Sequence, residues 1–163
     1  MRVLAALLLC VGGVTAAHAY QPQWNFEPDQ TAQQTAAQHA REMVQFARVE
    51  LNLKLDWSDA SIARIEEVAS DLHADLRRER APFREIETLV DMLGSYVGEV
   101  FRRNHGGEWG FALANGRRIM AVKAPQSGTM MWPIERIKQR VRGGGNHNVW
   151  AYYRARTALA TQD

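Results

Sequence analysis

From about residue 30 onward, apolar residues recur every three or four positions in separate runs, and each run predicts a helix. Ala36, Ala40, Met43, Ala47 and Leu51 share one face of a helix expected over about residues 30–52. Its Ala- and Gln-rich composition gives a shallow stripe suited to a peripheral position. Leu55-Asp56-Trp57-Ser58 interrupts the pattern. Ser58 can accept from the first amides of a following helix, and Asp59 favours its positive end. Ile62, Ile65, Ala69, Leu72 and Leu76 mark that second helix, which should end near Arg80. Pro82 suits the first turn of a third, where a missing amide proton costs nothing. Phe83, Ile86, Leu89, Val90, Leu93, Val97 and Val100 form the strongest amphipathic run, so the third helix is expected at the centre of the core.

After Asn104-His105-Gly106-Gly107, where glycine can terminate a helix in the left-handed conformation, the period changes to two. Trp109, Phe111 and Leu113 alternate with smaller residues, and Asn115-Gly116 is a strong hairpin signal because both central residues need positive φ. The hairpin is expected over residues 108–123, with a possible third strand near 129–132 after the turn-like Pro125-Gln126-Ser127-Gly128. Pro133 opens a helix with Ile134, Ile137 and Val141 inward, stopped by Gly143-Gly144-Gly145, and a last helix covers about residues 147–160. Before all of these, residues 20–29 carry Pro22, Trp24, Phe26 and Pro28 and read as an extended arm. The order predicts one α+β domain over residues 30–163: three N-terminal helices packed on a small antiparallel sheet, then two C-terminal helices.

Residues 1–19 are different. Met1-Arg2, an apolar run from Val3 to Val14 and Ala17-His18-Ala19 are the parts of a secretory signal peptide, cleaved near Ala19. The run is too short for a stable transmembrane helix; a buried N-terminal helix is the alternative. Cys10, the single cysteine, lies in the run. It could be a lipidation site, but Leu8-Leu9 before it lack the small residue usual there, so removal with the peptide is expected. The mature chain then has no disulfide, thiolate metal site or cysteine nucleophile, even in an oxidising periplasmic or external compartment.

With 46% hydrophobic and 23% charged residues, the 163-residue chain is neither disordered nor fibrous nor a multi-pass membrane protein. Its charge is uneven. Residues 20–114 hold ten Lys and Arg against sixteen Asp and Glu, a net of −6, and residues 115–163 hold nine against two, a net of +7. Such asymmetry either offers a basic surface to an anionic partner or folds back on itself to compensate. Nothing resembles a nucleic-acid-binding tail.

Candidate chemistry is sparse. No nucleophile elbow, phosphate loop, dinucleotide fingerprint or zinc-protease helix occurs, and no cofactor is implied. Glu99 is a possible general acid or base if buried, but Arg102 and Arg103 lie three and four residues on and would pair with it. His105 and Glu108 form the most enzyme-like cluster, able to shuttle a proton around a water. His105 is equally a favourable cation at a helix C-terminus, and no second histidine stands at metal-ligand spacing. Gly94 and Gly98 read as a close helix contact, with ligand access to bare backbone as the alternative. Trp132, Arg136, Arg140, Arg142, Trp150 and Tyr153, with Tyr152 in the same aromatic cluster, suggest a basic-aromatic docking surface, against the plainer reading of a solvated face over buried rings.

Leu55-Asp56-Trp57-Ser58, then Leu93-Gly94-Ser95-Tyr96-Val97-Gly98-Glu99-Val100, then His105-Gly106-Gly107-Glu108-Trp109, then Trp132-Pro133 and Gly143, resemble an uncharacterised bacterial domain family. Its core helix reads Leu-Gly-x-Tyr-x-Gly-Glu-Val, and a Gly-Trp step enters a strand. The resemblance covers about residues 55–153 and implies the α+β fold, with no catalytic residues to carry over. The expectation is an exported, periplasmic, non-enzymatic module that binds a protein partner, with an effector-neutralising immunity-type protein as one form of it. The alternatives are a small hydrolase using Glu99, His105 and Glu108, or a binder of anionic envelope surfaces through Arg136, Arg140 and Arg142.

Overall fold

The structure is a computed structural model that describes residues 24–78 and 82–161. The expected signal segment and Cys10 lie outside the described residues. Strand β1 (Asn25–Pro28) leads into helix α1 (Gln30–Glu50), α2 (Ile62–Arg77) and α3 (Glu87–His105). Strands β2 (Glu108–Ala114), β3 (Arg117–Lys123) and β4 (Met130–Met131) follow, then α4 (Pro133–Gly143) and α5 (Val149–Ala160). The sheet is antiparallel throughout, in the order β1-β2-β3-β4.

Mixed helix and sheet is the observed class, but the arrangement differs from three helices laid on a hairpin. Residues 25–28, expected as an arm, form an edge strand, with Phe26 opposite Ala112 and Pro28 opposite Gly110. A Cβ at Gly110 would overlap the Glu27 carbonyl, so the bare glycine is what admits the fourth strand. Helix α2 makes its main contacts with α4 and α5, not with the sheet. Helix α1 is not peripheral: Ala36, Ala40, Met43 and Ala47 are fully buried, and α1 shares the most extensive interface in the molecule with α3. Leu51 falls beyond its end and is exposed. Helix α3 starts at Glu87 because Pro82 instead caps a separate 3-10 turn, Phe83–Glu85. Ser58 likewise caps a 3-10 turn, Asp59–Ser61, ahead of α2.

Every residue of α3 from Leu93 to Phe101 is buried, which places this helix among all the others. Two devices make that possible. The first is close approach: a Cβ on Gly94 would overlap the Ile134 backbone of α4, and one on Gly98 would overlap the Trp109 ring of β2. The second is charge satisfaction. Glu99 has no solvent exposure, yet Oε1 accepts from Arg102 Nε at 2.8 Å and from Trp109 Nε1 at 3.0 Å. Its Oε2 accepts from the second nitrogen of Arg102 at 3.1 Å and from Arg103 Nε at 3.4 Å. Burial works to raise the Glu99 pKa; the donors Arg102 and Trp109 and the two guanidinium charges outweigh it and hold the carboxyl below the ordinary range. The carboxylate is therefore a structural anchor between α3 and β2.

Two outcomes follow from these contacts. Gly98→Ala gains about 1 kcal/mol of helix propensity but forces the Trp109 ring aside, an overpacking cost of about 1–3 kcal/mol, so chemical denaturation should show net loss of stability. Because Glu99 has a depressed folded pKa, its contribution is fully present above the ordinary value of 4.5 and disappears as pH falls through the lower folded value. Thermal melts should be flat above pH 5 or so and fall in acid; Glu99→Gln should lower the neutral plateau by roughly 1–3 kcal/mol and shrink the acid-induced drop.

Candidate functional site

The described residues with the most unspent binding capacity meet where β3, α4 and α5 converge beside the start of β1. Trp132 and Arg136 stand four apart at the opening of α4, and Tyr152 and Arg156 stand four apart on α5, so each helix presents one ring and one guanidinium on the same side. Trp24, just before β1, lays its ring 5.6 Å from that of Trp132. Arg117 and Ile119 of β3 complete the wall, with Glu135 and Gln139 of α4, around a cleft of about 220 Å³.

The rings and cations interlock. The Arg136 guanidinium lies 4.2 Å over Tyr152, and that of Arg156 lies 5.3 Å over Tyr152 and 5.6 Å over Trp132. The Tyr152 hydroxyl accepts the Trp132 backbone amide at 2.9 Å, fixing α5 against the first turn of α4. Burial raises the Tyr152 pKa, so the phenol stays protonated. Burial lowers that of Arg136; the adjacent Tyr152 opposes this and the Arg156 cation adds to it. Among the described residues no carboxylate forms an ion pair with Arg117, Arg136 or Arg156. Trp132 Nε1 and Arg136 Nε are buried without hydrogen-bond partners. The cleft therefore holds three cations against the single carboxylate of Glu135, with N–H donors to spare. That is chemistry for holding an anion, with no nucleophile or general base in place.

The residues grouped by sequence do not form one surface. Trp132, Arg136 and Tyr152 belong to the cleft. Arg140 is buried, donating from Nε to Glu66 Oε1 at 2.7 Å, while Glu66 Oε2 accepts the Val149 amide at 2.6 Å. Arg142 sits 3.8 Å over Phe83 on another side. Tyr153 is buried beneath Trp150, their rings stacked 6.2 Å apart.

Glu99, His105 and Glu108 do not share an opening either. Glu99 is sealed by its arginines and Trp109. His105 pairs with Asp59, Nε2 to Oδ2 at 2.8 Å, and Asp59 Oδ1 also accepts from Tyr153 at 2.6 Å and Asn104 at 2.8 Å. Burial works to raise the Asp59 pKa, but these donors hold it below the ordinary range. The cluster clamps the end of α3 to the 3-10 turn and α5. Glu108 is exposed beside Pro28, Asp29 and Gln30. Among the described residues, no three or more His, Cys, Asp or Glu side chains converge as a metal site. No helix among them is long and apolar enough to cross a membrane.

Sequence reasoning missed Trp24, Arg117 and Arg156 as cleft residues and Asp59 as the partner of His105. The repeated four-residue spacing of ring and arginine, Trp132 with Arg136 and Tyr152 with Arg156, was the available signal. Nothing local could have brought Trp24 or Arg117 to it.

No curated protein matches the sequence. A crystal structure of a protein from Bacteroides thetaiotaomicron VPI-5482 is similar in fold, with a TM-score of 0.58 and 13% identity. The match covers 81% of this chain and 46% of that one, so this chain spans less than half the length of its structural neighbour. Residues 71–153 match the family model described as Domain of unknown function (DUF3806), a stretch that includes Arg117, Trp132, Arg136 and Tyr152 but neither Trp24 nor Arg156. Since it runs from the later turns of α2 through α3, most of the sheet and α4 into α5, the chain belongs to that family of domains of unknown function.

Proposed function

We propose that the protein is a non-enzymatic docking module, exported from the cytosol, that holds an acidic segment of a partner protein in the arginine-aromatic cleft. The observation that carries this reading is the cleft's unanswered positive charge: Arg117, Arg136 and Arg156 lack carboxylate partners among the described residues. Trp, Tyr and Arg are the residue types that dominate binding hot spots, because large rigid rings and a planar guanidinium give contact area at low entropic cost. A desolvated guanidinium over a ring also gains more from an incoming carboxylate than a hydrated one. The cleft is smaller than a typical small-ligand pocket of about 300–1,000 Å³, and it is open, which favours a few side chains of a larger partner. The cleft's three arginines, set against its single carboxylate, would speed the encounter. Export rests on residues 1–19, so the form to test begins at Tyr20. Neutralising an acidic effector is one task such docking could serve.

The anionic-surface alternative loses support from the placement of its arginines, since Arg140 is committed to Glu66 and Arg142 faces elsewhere. Fluorescence titration with short Glu- and Asp-rich peptides, against matched Gln and Asn peptides, separates the readings. Acidic peptides should bind selectively and more weakly as salt rises. Arg136→Ala or Arg156→Ala should weaken them by about tenfold or more, roughly 1.4 kcal/mol, while Arg142→Ala leaves them unchanged. Equal binding of acidic and neutral peptides, or adsorption to anionic vesicles that ignores Arg136, would refute the proposal.

A further inference from the structure

A second cavity, adjoining the arginine cleft and sharing Ile119 and Glu135 with it, opens between α1, α3, α4 and β3, with a volume of about 370 Å³. One of its walls is Ser95, in the middle of α3 and without solvent exposure. Four polar or charged residues are buried among those described. Ser61 bonds the Tyr96 hydroxyl, Glu99 has its arginines and Trp109, and Arg140 has Glu66. The Ser95 hydroxyl has no partner at all. A serine within a helix ordinarily donates to the carbonyl four residues back, and this one does not. Alanine would fit the same space without burying an unsatisfied hydroxyl, so the position carries a cost that packing does not explain.

What surrounds Ser95 is charged with both signs. Asp91, one turn earlier on α3, forms an ion pair with Lys138 of α4 at 3.6 Å, both partly exposed at the mouth. Arg118 of β3 reaches Asp29 at 3.7 Å with half its side chain in solvent. Glu135 of α4 and His39 of α1 have no ion pair or side-chain hydrogen bond with a described residue. The pairs that exist are long and solvated, hence weak and easily exchanged for a ligand's charges. Two acids and three basic groups around an orphaned hydroxyl match neither a simple anion nor a simple cation.

We infer that this cavity binds a small zwitterion carrying an α-ammonium and a carboxylate, either a free amino acid or a short peptide. The ammonium is answered by Asp91 and Glu135, the carboxylate by Arg118, Lys138 and His39, and Ser95 supplies the neutral hydrogen bond that the protein alone leaves unmade. The volume lies at the small end for ligand sites, which suits a molecule of one or two residues.

Thermal shift and calorimetric titration of the chain from Tyr20, with the free amino acids and a set of dipeptides at millimolar concentration, test this directly. The N-acetyl amides, simple carboxylates and simple amines serve as single-charge and neutral controls. Zwitterions should raise the melting temperature and the controls should not; preference for single amino acids or for dipeptides then identifies the source. Ser95→Ala should melt at or above the temperature of the parent chain while weakening the zwitterion about tenfold, and Glu135→Gln should weaken it without unfolding. Two results would overturn the inference. One is no response to any zwitterion, or an equal response to the controls. The other is a Ser95→Ala chain that melts lower than its parent, because the hydroxyl would then already be serving the fold.

Discussion

A carboxylate with no access to water, on a helix surrounded by other elements, survives only when its charge is answered from several sides. Glu99 is answered by Arg102 and Arg103 from its own helix and by the Trp109 indole from the sheet. The arginines keep their outer atoms in solvent, so the ion is buried without two charges being fully dehydrated. The third donor matters most for architecture. It fixes Trp109, hence β2, hence the register of β3 across the Asn115-Gly116 turn, where both residues adopt positive φ. Arg117 and Ile119 leave that turn in a direction set by Glu99, nine residues before β2 begins to pair.

Close approach does the rest. Gly94 and Gly98 are a defect by helix propensity alone, yet each removes a side chain where another element must pass. Through Gly94, α4 starts against α3 without a gap, and Trp132 and Arg136 are carried to the same corner as Arg117. The aromatic side chains that look like a surface feature in sequence are sorted by this geometry. Tyr153 turns inward to Asp59, while Tyr152, its neighbour, turns toward the cleft.

Elements whose specification is local were legible. The stripe of α3, the hairpin and its turn, Pro133 at the start of α4 and the Gly-rich stop after it are all encoded within a few residues. The boundaries that failed depended on competition between neighbours, as where Pro82 and Ser58 cap short 3-10 turns before α3 and α2. Strand β1 was not legible because nothing in Asn25-Phe26-Glu27-Pro28 demands a strand; the demand comes from Gly110, some eighty residues later. The same holds for the sites. Arg136 and Trp132 could be grouped by spacing, but His105 has its acid 46 positions away, and Arg140 finds its partner 74 positions away. A long-range ion pair leaves no local trace, so a buried arginine and a solvated one look alike in sequence.

The reach of Glu66 has a consequence for how the chain acquires its shape. One oxygen holds Arg140 in α4 and the other holds the first amide of α5, 83 positions away, so α2 is finished only after α4 and the start of α5 have been made. Pairing over such separations closes large loops before any contact compensates their entropy, which slows folding relative to helical proteins of the same size. The acidic first part and the basic last part thus behave as two halves of one clasp. A nascent chain lacking α4 and α5 leaves the Ile62-Ile65-Ala69 face of α2 without the helices that cover it, and open to chaperones until they emerge.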